Sequence, residues 1–269
     1  MRVIALLTAY NEERFIASCL ENLFRQGVQV YLVDNSSTDG TLAIAERYLG
    51  RGLIDIEDLP RDGTFSLRRI LKREEELAGS LDGDWFMHID ADEVHVPTRS
   101  KTRLARALAD VDAAGYNAVN FLEFTFIPTR EAPDHDHPDF VRTMRSYYPF
   151  LPSFPHRLNA WKRQESVELA SSGGHKVEFP GLRMYPESFF MRHYLFLSVE
   201  HAIRKFGNRR FDRSEVEAGW HGWRARLQPV PFELPPADEL RTYVGDDRLD
   251  PSNPRSRHYL EDAWVTARR

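Results

Sequence analysis

The chain has 269 residues, of which 42% are hydrophobic and 29% are charged. This composition is ordinary for a soluble globular protein, and the length suits one large domain or two small ones. The formal net charge of −5 gives no general attraction to nucleic acid or to an anionic membrane, so a nucleic-acid-binding function is not expected. The single cysteine, Cys19, excludes an internal disulfide and fits a reducing compartment.

Residues 1–127 alternate between segments with the pattern of a strand and segments with the pattern of a helix. The strand segments are short and largely apolar, and the helix segments place their apolar residues at a helical spacing. The predicted strands are 3–8, 28–34, 54–59, 85–90 and 118–127, and the predicted helices are 11–27, 41–49, 65–77 and 97–114. This order predicts an α/β fold with a mostly parallel central sheet that is flanked by helices on both faces.

The pattern becomes irregular after residue 127. Residues 128–155 contain prolines, acidic residues and histidines without a clear period, which predicts a long surface loop. Short strands are predicted near 157–161 and 188–194, and a basic helix is predicted over 199–210. The basic residues of this helix, such as Lys205, are interpreted as a solvated face, with contact to an anionic ligand as the alternative. The tail from Gly219 is predicted to be extended and packed over the domain.

Polar side chains follow three predicted strands at the point where each strand ends. The run TAYNE (8–12) follows the first strand, DNSS (34–37) follows the second and DADE (90–93) follows the fourth. The carboxyl ends of strands in an open α/β sheet are the edge where ligands bind. Hard divalent cations prefer carboxylate oxygens and keep positions open for phosphate. Asp90 and Asp92 therefore predict a metal–diphosphate site, and turn residues that close a strand are the alternative.

The order of the motifs TAYNEE, VDNSSTDGT and HIDADE resembles the nucleotide-sugar half of family 2 glycosyltransferases, which have the GT-A fold. The resemblance implies a nucleotide-sugar-binding half over 1–130, an acceptor-binding half of the same domain over 131–218, and a C-terminal tail, 219–269, packed on the domain. It implies a hexosyltransferase-like enzyme that is metal-dependent and inverting. The donor would be a UDP- or GDP-sugar, and the acceptor would be a hydroxyl of a glycan, a lipid or a small molecule.

The resemblance also implies which residues contact the nucleotide. They are Ala9, Tyr10, Glu12, Asp34, Ser36, Arg68 and Asp90. Asp34 would accept a hydrogen bond from a ring N–H of the base, Arg68 would approach the base or the diphosphate, and Asp90 would touch the ribose or a metal-bound water. The structural alternatives are packing for Tyr10, a first-turn helix acid for Glu12 and a solvated helix face for Arg68.

The metal ligands implied by the resemblance come from both halves of the chain. Asp92 would bind Mn²⁺ or Mg²⁺ directly, and the metal would neutralise the departing nucleoside diphosphate. GT-A enzymes often add a histidine from the C-terminal part, and imidazole is a competent ligand for Mn²⁺. His175, in SSGGHKV, and His193, in MRHY, are the two candidates. A hydrogen-bonded structural role is the alternative for each of them.

An inverting transfer needs a general base that deprotonates the acceptor hydroxyl, and a carboxylate is the usual choice. The candidates are Glu123 on the fifth strand and the acidic residues of the 128–155 loop, foremost Asp136. Glu123 ranks first because a carboxylate among phenylalanines is costly unless it is paired or working. The alternative is that Glu123 faces solvent on an edge strand. The family's usual acidic pair near the acceptor is not visible here.

Other functions fit parts of the pattern less well. A phosphohydrolase would carry its Asp-x-Asp pair on the first strand, and a nucleotidyltransferase would have a glycine-rich loop there. A catalytically degenerate GT-A domain that binds a glycan or a partner protein stays open as the alternative. In the tail, Trp220 and Trp223 either stack on sugar rings or attach the tail to the domain.

The sequence has no apolar run long enough for a membrane helix and no secretion signal over residues 3–9. A cytoplasmic location is therefore expected, with peripheral contact to the inner membrane face and the oligomeric state left open.

Overall fold

The computed structural model of the chain describes residues 1–98, 102–207, 209–218, 220–222, 224 and 230–266. The strands in these ranges form one ten-stranded sheet. They are β1 (Val3–Ala9), β2 (Gln29–Asp34), β3 (Leu53–Asp58), β4 (Trp85–Asp90), β5 (Glu93–Val96), β6 (Ala118–Phe126), β7 (Ser146–Phe150), β8 (Arg157–Lys162), β9 (Phe189–Tyr194) and β10 (Arg241–Thr242). The α-helices of the same ranges are α1 (Ile16–Arg25), α2 (Thr41–Ala45), α3 (Leu67–Ser80), α4 (Leu104–Ala113), α5 (Phe140–Thr143), α6 (Val199–Gly207), α7 (Arg213–Glu217) and α8 (Tyr259–Thr266).

The N-terminal part of the sheet is parallel. β1 lies between β2 and β4, and β2 pairs with β3, all in parallel. In this register Thr8 lies opposite Asp90, and Ala9 lies opposite Asp34. The polar strand ends that the sequence predicts to be neighbours therefore meet at one edge of the sheet.

The rest of the sheet is mostly antiparallel. β8 pairs with β4 and β6, and β7 pairs with β6 and β10, all antiparallel. β9 runs parallel to β6 and antiparallel to β5. The sheet is thus mixed, because the chain returns from β6 through the four-residue α5 and not through a long crossover helix. The predicted α/β fold class, with its helix-flanked sheet, is confirmed.

Several predicted boundaries are wrong. The helix predicted over 11–27 spans Ile16–Arg25, and the tail predicted to be extended contains α8. The loop predicted over 128–155 contains α5 and β7, whose Tyr147, Tyr148 and Phe150 are buried. The helix predicted over 97–114 begins only at Leu104, and the short strand β5, which ends at Val96, was not predicted. Both strands are short, and short strands give little periodicity to detect.

Apolar clusters on both faces of the sheet hold the helices in place. On one face, Leu20 and Leu23 of α1 pack in the cluster that contains Leu7 of β1. On the other face, Ile70 and Leu71 of α3 pack with the cluster that includes β4. Since the helices are fixed in this way, the turns at the strand ends keep a defined position relative to the sheet.

A third cluster joins the C-terminal segment to the sheet. Leu234, Leu260 and Trp264 are buried with Tyr148 and Phe150 of β7. Residues 230–266 therefore pack on the domain through a core of their own. None of the helices in the described ranges combines the length and apolar character needed to cross a bilayer.

Candidate functional site

A cavity of about 540 Å³ opens at the carboxyl edge of β1 and β4. Its lining includes Thr8 and Asp90, at the ends of these two strands, and Asp92, which follows β4. Its other walls come from distant parts of the chain, among them Lys205 at the end of α6 and His258 near the C-terminus. The cavity is thus built where parallel sheets commonly bind ligands, and its walls come from both halves of the sequence.

The turns after β1 and β2 are tied to one another. Asn11 adopts a left-handed conformation, with a φ of 56°, and its Oδ1 accepts a hydrogen bond of 2.7 Å from the Thr38 N–H. The Glu12 N–H donates to Thr41 Oγ1 at 2.8 Å. Asparagine tolerates this backbone conformation better than most residues, which explains its place at the turn. The two strand ends therefore form one rigid unit.

Asp34, at the end of β2, is a buried carboxylate in which only one of the two oxygens accepts a hydrogen bond from the described residues. Its Oδ2 accepts a hydrogen bond of 2.8 Å from the Ser37 N–H. Its Oδ1 is buried and has no hydrogen-bond partner among the described residues. Burial raises the pKa of Asp34, and the hydrogen bonds from Ser37 oppose this effect. Because a buried acceptor without a partner is costly, Oδ1 has the character of an acceptor kept for a ligand.

An arginine that the sequence interpretation missed lies against Tyr10 and contacts the turn that follows Asp34. The Arg61 guanidinium lies 3.6 Å from the centre of the Tyr10 ring, and its backbone N–H donates to Ser36 Oγ at 3.2 Å. Arg61 belongs to the turn that follows β3, which is the strand end at the same edge that the sequence interpretation left unused. Arg68, the predicted contact, is exposed and lies over the Trp220 ring at 4.6 Å. Contact of Arg68 with the nucleotide stays a prediction, and Arg61 is a second candidate from the same edge of the sheet.

Asp90 and Asp92 lie in different environments. Asp90 is exposed and lines the cavity. Asp92 is buried, and its Oδ2 accepts a hydrogen bond of 2.6 Å from Lys205 Nζ and lies 3.3 Å from His193 Nε2. Burial alone would raise the pKa of Asp92, but Lys205 and His193 hold it far below its usual range. Asp92 is therefore an anion at neutral pH.

Glu123 lies behind His193 and not at the surface of the cavity. Its side chain is 0% exposed, its Oε1 lies 2.7 Å from His193 Nδ1, and its Oε2 accepts from Arg157 Nε at 2.9 Å. Burial alone would raise the pKa of Glu123, but Arg157 and His193 hold it well below its usual range. A carboxylate held in this way is a weak base without access to a substrate. The prediction of Glu123 as the general base is corrected: it positions His193.

Asp136 is also not at the cavity. Its two carboxylate oxygens lie 2.8 Å from Arg14 Nε and 2.6 Å from Arg204 Nη2. This pairing of the loop with the turn before α1 and with α6 gives Asp136 a structural role, so the prediction of a second catalytic carboxylate here is corrected as well.

His175 and His193, the two predicted metal ligands, lie in different parts of the cavity. His193 faces Asp92, as described above. His175 lies 3.1 Å from Arg157 Nη1 through its Nδ1, and its ring stacks on His156 with the centroids 5.1 Å apart. No described contact joins His175 to Asp92, so only His193 shares a site with that carboxylate.

The carboxylate of Asp92 and the imidazole of His193 could bind a divalent cation whose remaining ligands come from a bound phosphate. Within the described ranges, no group of three or more His, Cys, Asp and Glu side chains is arranged to hold a metal ion. Asp92 Oδ2 and His193 Nε2 are close enough to share one cation, and Glu123 holds the other nitrogen of the imidazole, as is usual for metal-bound histidine. Two protein ligands suit Mg²⁺ or Mn²⁺ when phosphate oxygens complete the coordination.

Cations from the C-terminal half face these carboxylates. Lys205 Nζ lies 3.7 Å from Glu12 Oε2, and Arg209 Nη2 lies 3.6 Å from Glu12 Oε1. Burial raises the pKa of Glu12 to about 7 in spite of these cations. The interpretation of this basic segment as a solvated face is wrong for Lys205 and Arg209, because both line the cavity.

The segment with α7 forms one wall of the cavity. Glu215 Oε1 accepts from the Arg68 N–H at 2.7 Å, and its Oε2 accepts from the Leu67 N–H at 3.0 Å, so this carboxylate caps the N-terminus of α3. His221 Nε2 lies 2.7 Å from the same carboxylate. Trp220 contributes to the wall, whereas Trp223 lies outside the described residues.

Comparison with protein families gives a match over more than half of the chain. The sequence model described as "Glycosyl transferase family 2" matches residues 5–168. A curated relative, an uncharacterized protein of Methanocaldococcus jannaschii, is 27% identical over 112 residues, which cover 41% of this chain and 48% of that protein.

Comparison with solved structures gives several similar proteins. A fragment of S. aureus TarS crystallised with UDP has 16% sequence identity and a TM-score of 0.47, and the similarity covers 80% of this chain and 68% of that one. In the longer TarS structure the identity is 15%, the TM-score is 0.43, and the coverage is 72% of this chain and 37% of that one. Glucosyl-3-phosphoglycerate synthase from Mycobacterium tuberculosis, with Mn²⁺, UDP and phosphoglyceric acid, has 19% identity and a TM-score of 0.32, covering 45% of this chain and 43% of that one. The chain thus spans about half the length of the curated relative and less than half the length of the longer TarS chain.

Proposed function

The chain belongs to glycosyl transferase family 2, and from this premise we propose a metal-dependent, inverting transferase that moves a sugar from a UDP- or GDP-sugar to an acceptor hydroxyl. The observation that carries the proposal is the pairing of Asp92 with His193 in a cavity at the carboxyl ends of β1 and β4. The buried free thiol of Cys19 suits a reducing compartment, and we propose that the protein works in the cytoplasm.

The nucleoside would bind at the turns after β1, β2 and β3. Asp34 Oδ1 would accept a hydrogen bond from the base, since it is a buried acceptor that has no partner among the described residues. The base or ribose would lie against Tyr10, where the Arg61 guanidinium lies in this structure. The backbone of Ala9, the Ser36 hydroxyl and Glu12 would line the same pocket, and Asp90 would face the ribose or a metal-bound water.

Asp92 and His193 would hold Mn²⁺ or Mg²⁺, with Glu123 fixing the orientation of the imidazole. The bound cation would neutralise charge on the departing nucleoside diphosphate. Lys205 and Arg209 add positive charge on the same side of the cavity, so they would also stabilise the diphosphate as it leaves.

The acceptor would approach from the side of His156 and His175. A second cavity, of about 420 Å³, shares these two histidines with the first and also has Ser153, Lys176 and Glu178 in its walls. A polar channel of this kind suits a hydroxyl-bearing glycan, a glycosylated lipid head group or a small molecule. We propose that the acceptor hydroxyl attacks the anomeric carbon directly from this side.

Thermal unfolding with a panel of nucleoside diphosphates, with and without Mn²⁺, tests the proposal. UDP or GDP should raise the melting temperature, and Mn²⁺ should increase the rise, because ligands that bind the folded state stabilise it by mass action. Asp92→Asn should lose the increment due to Mn²⁺, whereas Asp82→Asn, at an exposed carboxylate far from the cavity, should keep it.

Two outcomes would contradict the proposal. One is the absence of stabilisation by any nucleoside diphosphate, and the other is an unchanged Mn²⁺ increment in Asp92→Asn. Nucleotide binding without turnover of any donor sugar would instead indicate a degenerate binding domain. Where turnover occurs, NMR of the anomeric proton in the product distinguishes inversion from retention.

A further inference from the structure

Lys205 lies where a metal ion would bind to Asp92. Its Nζ is 2.6 Å from Asp92 Oδ2, 3.7 Å from Glu12 Oε2 and 4.5 Å from the centre of the Phe15 ring. The side chain is only 8% exposed. We propose that Lys205 competes with the divalent cation for Asp92, so that the metal binds tightly only together with a nucleoside diphosphate. This inference rests on the proposed function.

The competition follows from the burial of Lys205 and Asp92. An ammonium that has left water is costly unless an anion pairs with it, and Asp92 provides that anion for Lys205, whereas Glu12 Oε2 is farther away at 3.7 Å. A metal ion that arrives alone would place two more positive charges beside this ammonium. Repulsion between charges whose side chains are largely buried is stronger than in bulk solvent. The metal must therefore displace Lys205 from Asp92 and leave the ammonium with fewer anionic neighbours.

A nucleoside diphosphate removes this obstacle. The cavity is lined by Lys205, Arg209 and Asp92. A diphosphate bound there can therefore replace Asp92 as the anionic partner of the Lys205 ammonium when the metal takes Asp92. The metal and the diphosphate together add little net charge, whereas the metal alone adds two positive charges. Each ligand then favours the binding of the other, and Lys205 increases this coupling beyond direct metal–phosphate contact.

Measurement of Mn²⁺ binding by calorimetry or electron paramagnetic resonance tests the inference without any need for turnover. In the absence of nucleotide, Lys205→Met should bind Mn²⁺ about tenfold more tightly than the wild type, since coupling between sites is commonly of that size. With saturating UDP, or GDP if that is the nucleotide that binds, the two proteins should differ less. Lys205→Arg keeps the charge and should keep the weak binding.

Arg204→Met is the matched control. Arg204 precedes Lys205 on the same helix and carries the same charge, but its guanidinium pairs with Asp136 and lies 59% exposed. This variant should bind Mn²⁺ like the wild type, which separates a local competition from a general change in charge. Thermal unfolding of each variant checks folding, and Lys205→Gln replaces Lys205→Met if the latter does not fold.

The failures of the inference and of the proposed function are distinguishable. Equal Mn²⁺ affinity of the wild type and the neutral Lys205 variants without nucleotide would overturn the competition and leave the metal site intact. An equal gain in Arg204→Met would overturn it as well. If no variant bound Mn²⁺ with or without nucleoside diphosphate, the proposed metal-dependent function would itself fail.

Discussion

At the scale of single residues, Asp34 combines burial with an oxygen that has no partner in the described part of the chain. Asp34→Asn keeps the size of the side chain but removes its charge and one acceptor. We expect the affinity for the preferred nucleoside diphosphate to fall by about 10- to 100-fold, because hydrogen bonds to charged groups contribute about 1.5–3 kcal/mol. Calorimetric titration measures this. Asp58→Asn, at the exposed carboxylate opposite Asp34 on β3, is the control. If Asp34→Asn bound the nucleotide as tightly as the wild type, the role assigned to Asp34 would be contradicted.

A buried ion pair beneath the cavity gives a prediction about pH. His88 Nδ1 lies 2.6 Å from Glu74 Oε2, and the Glu74 side chain is 0% exposed. Burial alone would lower the pKa of His88, but Glu74 raises it to about 9 from 6.5. The folded protein therefore binds more protons than the unfolded chain between these pH values. The contribution of the His88–Glu74 pair to the stability of the fold is complete below pH 6.5 and is lost as the pH rises toward 9.

Glu74→Gln should remove this contribution, which amounts to about 3 kcal/mol when the shift in pKa is converted to free energy. Urea unfolding at pH 6 and at pH 9 measures it. The wild type and the variant should differ most at the lower pH, and the difference should shrink toward the higher one. A difference that is independent of pH would mean that the pair is not charged in the folded protein.

At the scale of secondary structure, the elements up to β4 could be predicted because their signals are local. The apolar run of β4 and the helical spacing in α1 are visible in a single sequence. β7 could not be predicted in the same way, since it is short and contains Pro149, which is rare within strands. The orientation of the Lys205 side chain could not be predicted from the sequence either, because the packing of α6 decides which of its basic residues face the cavity.

The N-terminus of α3 gives a prediction about a local contact. Glu215 accepts backbone hydrogen bonds from the first turn of this helix and is buried, whereas Glu217 of the same short helix is exposed and pairs with Arg213. Glu215→Gln should weaken the attachment of α7 and increase trypsin cleavage at Arg210 and Arg213 about tenfold. The expected cost of about 1–2 kcal/mol is that of a lost helix cap.

Glu217→Gln is the control for this experiment and should be cleaved at the rate of the wild type. Cleavage that is unchanged in Glu215→Gln would show that other contacts hold α7 against α3.

At the scale of the whole molecule, the convergence of the strand ends after β1, β2 and β4 could be predicted, and the histidine-lined part of the cavity could not. Tyr10, Asp34 and Asp92 follow strands that are close together in sequence and in space, so the order of the motifs was sufficient. His156, His175 and His258 meet only through the antiparallel part of the sheet and the third apolar cluster. These histidines are far apart along the chain, so no local sequence pattern predicts that they meet. The turn that carries Arg61 also lacks a recognisable sequence pattern.

The C-terminal cluster should contribute strongly to global stability. Trp264 is 2% exposed, its Nε1 donates to the Val230 carbonyl at 2.8 Å, and its ring packs against those of Phe206 and Phe232. Trp264→Ala should lower the free energy of unfolding by about 3–5 kcal/mol. Chemical denaturation measures this, with Val244→Ala at a 57% exposed position as the control. A loss below 1 kcal/mol would mean that the C-terminal segment is peripheral to the fold.

The continuity of the sheet limits how substrates can be exchanged. Hydrogen bonds join neighbouring strands from β3 to β10 into one continuous sheet, so the sheet does not divide into two lobes that could open about a hinge. The wall around α7 is attached differently, through the Glu215 carboxylate and a short backbone bridge between Phe65 and Phe211. If the cavity binds a nucleotide as proposed, we expect its release to depend on how often this wall detaches, so that changes in the wall alter the rate of turnover and leave the chemistry untouched.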